Sequence, residues 1–303
     1  MRFTFTSLFK IHPFKMHFLI FSILCSVSVG ILFKIAKRYA VSFQQMINYN
    51  YVVAIILCYL AYQPDIHTVT SNAPWTLYSV LALLLPTVFL VLAASVRHIG
   101  IVKTDIAQRF SLIISILAAF LVFNETISPI KWIGLAIGFT AIFMVLYRNE
   151  TTSGEKNNGW YPIIVLVGFG IIDVCFKLIA SYTEIPYTTS LFVVFCGAFV
   201  VSTVITGYTL LVKKEKVNGE SVLFGLALGV LNFGNILFYL KAHKALHDNP
   251  STVFASMNFG VILLGTLVGA FVFKEKISRL NAIGIFLAFL AIIVITASQL
   301  YTL

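Results

Sequence analysis

The sequence predicts an all-α membrane protein of ten transmembrane helices, arranged as two inverted five-helix repeats. Three observations carry that expectation: the composition, the number and length of the apolar runs, and an echo between the halves. Of 303 residues, 59% are hydrophobic and only 11% charged. A soluble domain carries about a quarter of its residues as Asp, Glu, Lys or Arg. Folding this chain in water would leave a large apolar surface, whereas a bilayer makes that surface the required exterior. The 28 Phe and 13 Tyr suit acyl chains and the headgroup zone alike.

A helix rises about 1.5 Å per residue, so a hydrocarbon core of roughly 30 Å takes about 20 apolar residues. Ten segments qualify: 16–36, 42–62, 75–95, 101–123, 129–147, 160–182, 187–212, 221–240, 250–273 and 279–299. Turn formers and charges separate them, as in Gln63-Pro64-Asp65, Glu184-Ile185-Pro186 and His247-Asp248-Asn249-Pro250. The longest polar stretch, Arg148 to Gly159, lies at the midpoint and reads as a flexible linker. The expected organisation is a tail (1–15), a first repeat (16–147), the linker (148–159), a second repeat (160–299) and a short tail (300–303). The run starting at Met16 is followed by many others and has no small-residue cleavage site, so it reads as a retained helix.

The halves resemble each other. Phe123–Ile142 aligns without gaps on Phe273–Ile292, and the matches include the polar pairs Glu125/Glu275 and Ser128/Ser278 as well as Gly134/Gly284. Phe33-Lys34 in the first span is echoed by Phe176-Lys177 in the sixth. Five helices per half is an odd number, so the second half enters the membrane upside down. Two such halves around a midplane chamber suit a carrier that opens first to one side and then to the other.

These residues carry a family resemblance. An acidic residue in a short turn followed by a Gly-containing helix, Glu125 to Gly134 and again Glu275 to Gly284, is similar to the EamA branch of the drug/metabolite transporter superfamily. The resemblance covers Met16 to about Ser298. It implies a five-plus-five bundle with a central cavity lined by spans 1, 3, 4, 6, 8 and 9, a bacterial inner membrane, and export of amino acids, metabolites or drugs. Two points depart from the pattern. Many relatives have a proline inside span 4, and none stands between Thr104 and Phe123. Relatives keep both termini cytoplasmic, whereas the positive-inside count here places most Lys and Arg in the loops after odd-numbered spans, which favours termini outside.

Charged groups inside spans are costly and usually face the bundle interior. Span 4 carries Asp105, Gln108 and Arg109, span 6 carries Asp173 and Lys177, and span 1 carries Lys34. These are candidates for the substrate pathway. The cations would attract a carboxylate or phosphate, and Asp105 or Asp173 would carry a coupling proton. The alternative is that each i, i+4 pair neutralises itself and Lys34 snorkels to the interface. Asn232, Asn235 and Asn258 are candidates for the same pathway, although such amides equally bond neighbouring helices. The spacings Gly134xxxGly138, Gly225xxxGly229 and Gly265xxxGly269 permit close helix approach. With ten helices to pack, contacts within a monomer are favoured over a dimer seam.

Other classes fare worse. The net charge of +10 comes from scattered loop residues rather than a basic face, which argues against nucleic acid. Cys25, Cys58, Cys175 and Cys196 form no CxxC pair. His243 and His247 beside Asp248 are better explained as a helix end than as a metal site, and no cofactor is expected. With neither HExxH nor GxxxxGK[ST], the chain gives no sign of metalloprotease or nucleotide-driven chemistry. The expected partners are a small-molecule substrate and the bilayer. Two rival readings are a carrier of anionic solutes, for which the intramembrane cations argue, and an intramembrane enzyme, for which no convincing reactive set stands out.

Overall fold

The computed structural model describes residues 13–99, 101–146, 160–274 and 277–298. Among them the regular structure is helical, and ten helices are long and apolar enough to cross a membrane. The first half holds α1 (Pro13–Ala36), α2 (Phe43–Tyr62), α3 (Trp75–Ile99), α4 (Ile101–Phe110), α5 (Leu112–Leu121) and α6 (Pro129–Leu146). The second holds α7 (Trp160–Ser181), α8 (Tyr187–Leu211), α9 (Gly219–Ala245), α10 (Pro250–Phe271) and α11 (Arg279–Ser298). Helices α4 and α5 are two pieces of the fourth span. The expected linker (148–159) and the signature residue Glu275 lie outside the described residues. Large apolar side chains such as Leu60, Val204, Leu223 and Phe286 are exposed, as lipid-facing positions must be.

At Ser111 the fourth span tightens for one turn without a proline: the residue keeps right-handed helical angles, and its carbonyl accepts from Ile114 N–H (2.9 Å) as well as from Ser115 N–H (3.3 Å). Its hydroxyl donates to the Gln108 carbonyl (2.6 Å), the kind of back-bonding that bends a helix. The repeat is visible in the turns as well. Four non-glycine residues have left-handed backbones, and they fall at equivalent positions: Gln63 (φ 40°) with Lys214 (φ 54°) after the second span of each half, and Asn124 (φ 50°) with Lys274 (φ 54°) after the fourth. A left-handed residue closes a helix C-terminus by turning the following N–H back onto an orphan carbonyl. Glu125 N–H accordingly reaches the Ala119 carbonyl (3.0 Å), and Glu215 N–H the Thr209 carbonyl (3.2 Å).

Exchanging the halves preserves the packing. Helix α2 lies on α9 as α8 lies on α3; α1 packs on α9 as α7 packs on α3; α1 meets α10 as α7 meets α4 and α5. The pairs α2–α8 and α6–α11 straddle the pseudo-twofold axis, and the most extensive helix pairings cross between the halves. Glycine makes the closest of these possible. A Cβ on Gly225 or Gly229 would stand 2.8 Å from the carbonyl oxygen of Met46 or Asn50 on α2, and one on Gly284 would stand 2.9 Å from Val145 N. Gly134 faces Ile295 in the same α6–α11 seam. The Gly134xxxGly138 and Gly225xxxGly229 spacings serve contacts inside the chain, whereas nothing stands within 4 Å of a Cβ on Gly265.

Successive crossings sort the loops to two ends. At one, Gln45 bonds the Lys216 carbonyl (2.9 Å) and the Asn218 N–H (3.0 Å), while Asn281 bonds the Val145 carbonyl (2.5 Å). This is the Lys37 end. At the other, Lys131 meets Asn249 (3.0 Å) and Lys177 meets the His247 carbonyl (2.8 Å). This is the Glu125 end. The turn after the fourth span and the turn after the ninth therefore lie at opposite ends, which is the inverted arrangement.

Candidate functional site

A cavity of about 780 Å³ occupies the centre of the bundle. It runs from Lys37, Ile277 and Asn281 at one end inward to Asp173, Tyr239 and Met257, so it opens at the Lys37 end. Its walls come mainly from spans 1, 3, 4, 6, 8 and 9, the six that the resemblance implies. Eight of the nine pathway candidates line it: Lys34, Asp105, Gln108, Arg109, Asp173, Asn232, Asn235 and Asn258. Aromatic side chains, among them Phe33, Phe89, Phe169 and Phe176, fill the surface between the polar groups.

The polar groups are held by their neighbours. Asp173 on α7 accepts from the Ser115 hydroxyl (3.1 Å) and the Tyr239 hydroxyl (3.0 Å), so three spans fix one carboxylate. Asn235 accepts from Ser22 (2.8 Å). Asn232 donates to Asn50 (3.1 Å), and Asn258 to the Phe254 carbonyl of its own helix (3.0 Å). Arg109 lies within the electrostatic reach of both Asp105 and Asp173, and a guanidinium presents five donors in a fork that matches a carboxylate or phosphate. Gln108 and Asn258 are equivalent by the gapless repeat register, so each half contributes an amide. At the mouth, burial pushes the Lys37 ammonium below its ordinary value and the nearby Asp105 opposes that shift. Lys34 stands with its ammonium 3.8 Å from the centre of the Phe273 ring.

Lys177 does not line this cavity. It is 2% exposed and lies beyond the floor, where it donates to the His247 carbonyl (2.8 Å) with the Phe123 ring 5.7 Å away. The i, i+4 spacing of Asp173 and Lys177 allowed a self-contained pair. Instead, the carboxylate turns to Ser115 and Tyr239 and the ammonium turns to the end of α9. His243 and His247 separate likewise. His243 is fully buried against Tyr239 and Phe254, and His247 pairs with Asp248 (3.0 Å) on the surface.

The Glu125 end is sealed by an ionic network. Glu125 and Lys131 meet at 2.7 Å with both side chains 2% exposed. The other contacts come from the second half. The Ser251 N–H (2.8 Å) and hydroxyl (2.6 Å) donate to the Glu125 carboxylate, and Lys131 donates to Asn249 (3.0 Å). Glu125 thus caps the N-terminus of α10, where a negative charge is favoured. Sequence reasoning singled out Glu125 but passed over Lys131, Ser115, Tyr239 and Ser251. The signal for Lys131 was a lone base six residues after a repeated Glu, on a helix otherwise free of charge. Tyr239 had no comparable signal.

Comparison with known proteins agrees with this architecture. Residues 15–147 match the model of the EamA-like transporter family. An uncharacterized protein of Haemophilus influenzae is 42% identical over 289 residues, covering 91% of this chain and 96% of that protein. A crystal structure only 15% identical in sequence superposes with a TM-score of 0.70 over 94% of this chain and 98% of that one, a likeness of fold. With a family match across the first half, and a bundle of ten spanning helices around a polar cavity, the chain belongs to the EamA-like transporter family.

Proposed function

We propose that the protein is a secondary transporter that exports small polar metabolites, amino acids among them, across the bacterial inner membrane by alternating access. The family is one of transporters rather than enzymes. The observation that carries the reading is a central cavity with charges of both signs, open at one end and closed at the other by a buried ion pair. Arg109 would hold a substrate carboxylate, and Asp105 or Asp173 would hold an ammonium or the coupling proton. Aromatic walls would take an apolar side chain.

A second reading is a carrier of phosphorylated or carboxylate anions. Lys34, Lys37 and Arg109 outnumber the two carboxylates lining the same space, a positive excess that favours it. One assay separates them. Purified protein in liposomes is loaded with labelled amino acids or sugar phosphates, with and without a pH gradient. Amino-acid counterflow that Arg109→Ala abolishes supports the first reading. Counterflow confined to phosphorylated solutes selects the second, and no flux of any solute by correctly inserted protein rejects both.

A further inference from the structure

The cavity ends at Tyr239, but the stripes of side chains that line it continue. On α9 the lining residues Asn232, Ile236 and Tyr239 recur at helical spacing, and His243 is the next position on that face. On α10 the lining residues Val261 and Asn258 are followed, one turn nearer the sealed end, by Phe254. The two continuations meet. The centre of the His243 ring lies 4.7 Å from that of Phe254 and 4.6 Å from that of Tyr239, edge-on to both. His243 and Phe254 are each 0% exposed, so they form a dry plug beneath the cavity floor.

Neither nitrogen of His243 has a hydrogen-bond partner among the described residues. Leaving a buried polar group unpaired costs roughly 1–3 kcal/mol, and a phenyl ring would make the same aromatic contacts without that cost. Of the helices packed on α9, α7 brings the Lys177 ammonium within electrostatic reach of the imidazole and holds Asp173 against the Tyr239 hydroxyl. Helix α10 carries no titratable side chain. Helices α1 and α2 turn Phe18 and Tyr62 to Lys241, which lies on another face of α9.

The register that pairs Gln108 with Asn258 makes Ala93 the mate of His243 and Thr104 the mate of Phe254. Both mates line the open chamber. Exchanging the halves therefore puts His243 and Phe254 on the wall of a chamber that opens at the Glu125 end. We infer that His243 is a proton-binding site of that opposite state, wet there and dry in the state described here. The inference rests on the alternating-access reading above and adds the ligand that biases it. An imidazolium is not carried into the plug, because it would be buried without an acceptor and near an ammonium. The proton is taken from water at the Glu125 end and returned to it before that end seals, so none crosses the membrane at this site. Acid on that side holds the Glu125 end open, and its removal lets the end close.

The test is cysteine accessibility, which needs no known substrate. In a background with Cys25, Cys58, Cys175 and Cys196 replaced by alanine, single reporters are introduced separately. Thr252→Cys and Ala180→Cys report the sealed end, where both residues are buried; Ala180 is the repeat mate of Lys37 at the open mouth. Ala270→Cys reports the open end, where Ala270 lines the cavity. Labelling by a water-soluble maleimide is read on purified, monodisperse protein. Each rate is divided by that of the same reporter in unfolded protein at the same pH, which cancels the ionisation of the thiol. Free imidazole takes up its proton near pH 6.5, so going from about pH 7.5 to about pH 5.5 is expected to speed both sealed-end reporters about tenfold. Ala270→Cys is expected not to gain, and His243→Phe to abolish the pH response while leaving the slow rate. Where His243→Phe is not monodisperse, His243→Gln takes its place with the same expected result.

Sealed-end labelling that ignores pH, a pH response that survives in His243→Phe, or acid that speeds Ala270→Cys equally would overturn the proton site and leave alternating access standing. Sealed-end reporters that label at no pH and in no variant, while Ala270→Cys labels, would overturn alternating access itself.

Discussion

The two ends of the bundle are built from the same repeat and carry different chemistry. At the Glu125 end a carboxylate, a lysine, an asparagine and a serine form a network with 2% exposure of the ion pair. At the Lys37 end the position equivalent to Lys131 is Asn281, which bonds the Val145 carbonyl and is partly buried. One end therefore has a buried salt bridge where the other has an amide on a backbone carbonyl. Breaking a buried pair by removing one partner is strongly destabilising, because the survivor is left as an uncompensated charge. A neutral amide on a partly wet surface carries no such penalty. The difference teaches that a duplicated fold can keep its packing symmetric while a single position gives its two ends different chemistry.

The sharpest way to break the comparison is Glu125→Ala. It strands the Lys131 ammonium and uncaps α10, and should cost roughly 3–5 kcal/mol, read as thermal unfolding of the detergent-solubilised protein. An effect below about 1 kcal/mol would mean that the network is already hydrated. Lys131→Asn, which gives the sealed end the residue of its mate, should cost about 1.5–3 kcal/mol and speed maleimide labelling of Thr252→Cys. Unchanged labelling would detach the asymmetry from the closure. Away from the ends, Gly229→Leu forces a side chain against the Asn50 carbonyl and should cost roughly 1–3 kcal/mol. Gly265→Ala, with nothing within 4 Å of its Cβ, should be nearly neutral. Equal costs for the two would refute the close α2–α9 approach. Smallest of all, Asn232→Ala removes one interhelical bond to Asn50, worth about 0.6 kcal/mol on average in membrane proteins.

Much of this was legible before any coordinates. The ten spans were set by apolar runs between Pro, Asn and charged turns, and their edges moved by only a few residues, except that α9 extends five residues past its expected end, to Ala245. The duplication around Glu125 and Gly134 pointed to inverted halves, and the intramembrane charges of spans 4 and 6 pointed to the cavity. What the spacing could not say was how each charge resolves its own electrostatics. Asp173 and Lys177 share a helix face, yet each finds its partners outside its own helix. Span 2 is a related case: Gln45 ties down the loop before α9, and Asn48 accepts from Ser202 and Thr203. These amides stitch helices together because a second half supplies their partners from more than 150 residues away. Such distant pairings leave no local mark. The tightened turn at Ser111 was hidden too, since a serine does not announce a local distortion as a proline does.

The crosswise packing has a bearing on biogenesis. A ribosome delivers the first five spans before the last five exist, and until α8 and α9 arrive the amides of α2 stand in lipid with nothing to bond. The early half is therefore an unfinished surface rather than a module, and is expected to be cleared by membrane proteases when made alone. Residues 1–147 and 160–303 produced together as separate chains should each protect the other from that fate.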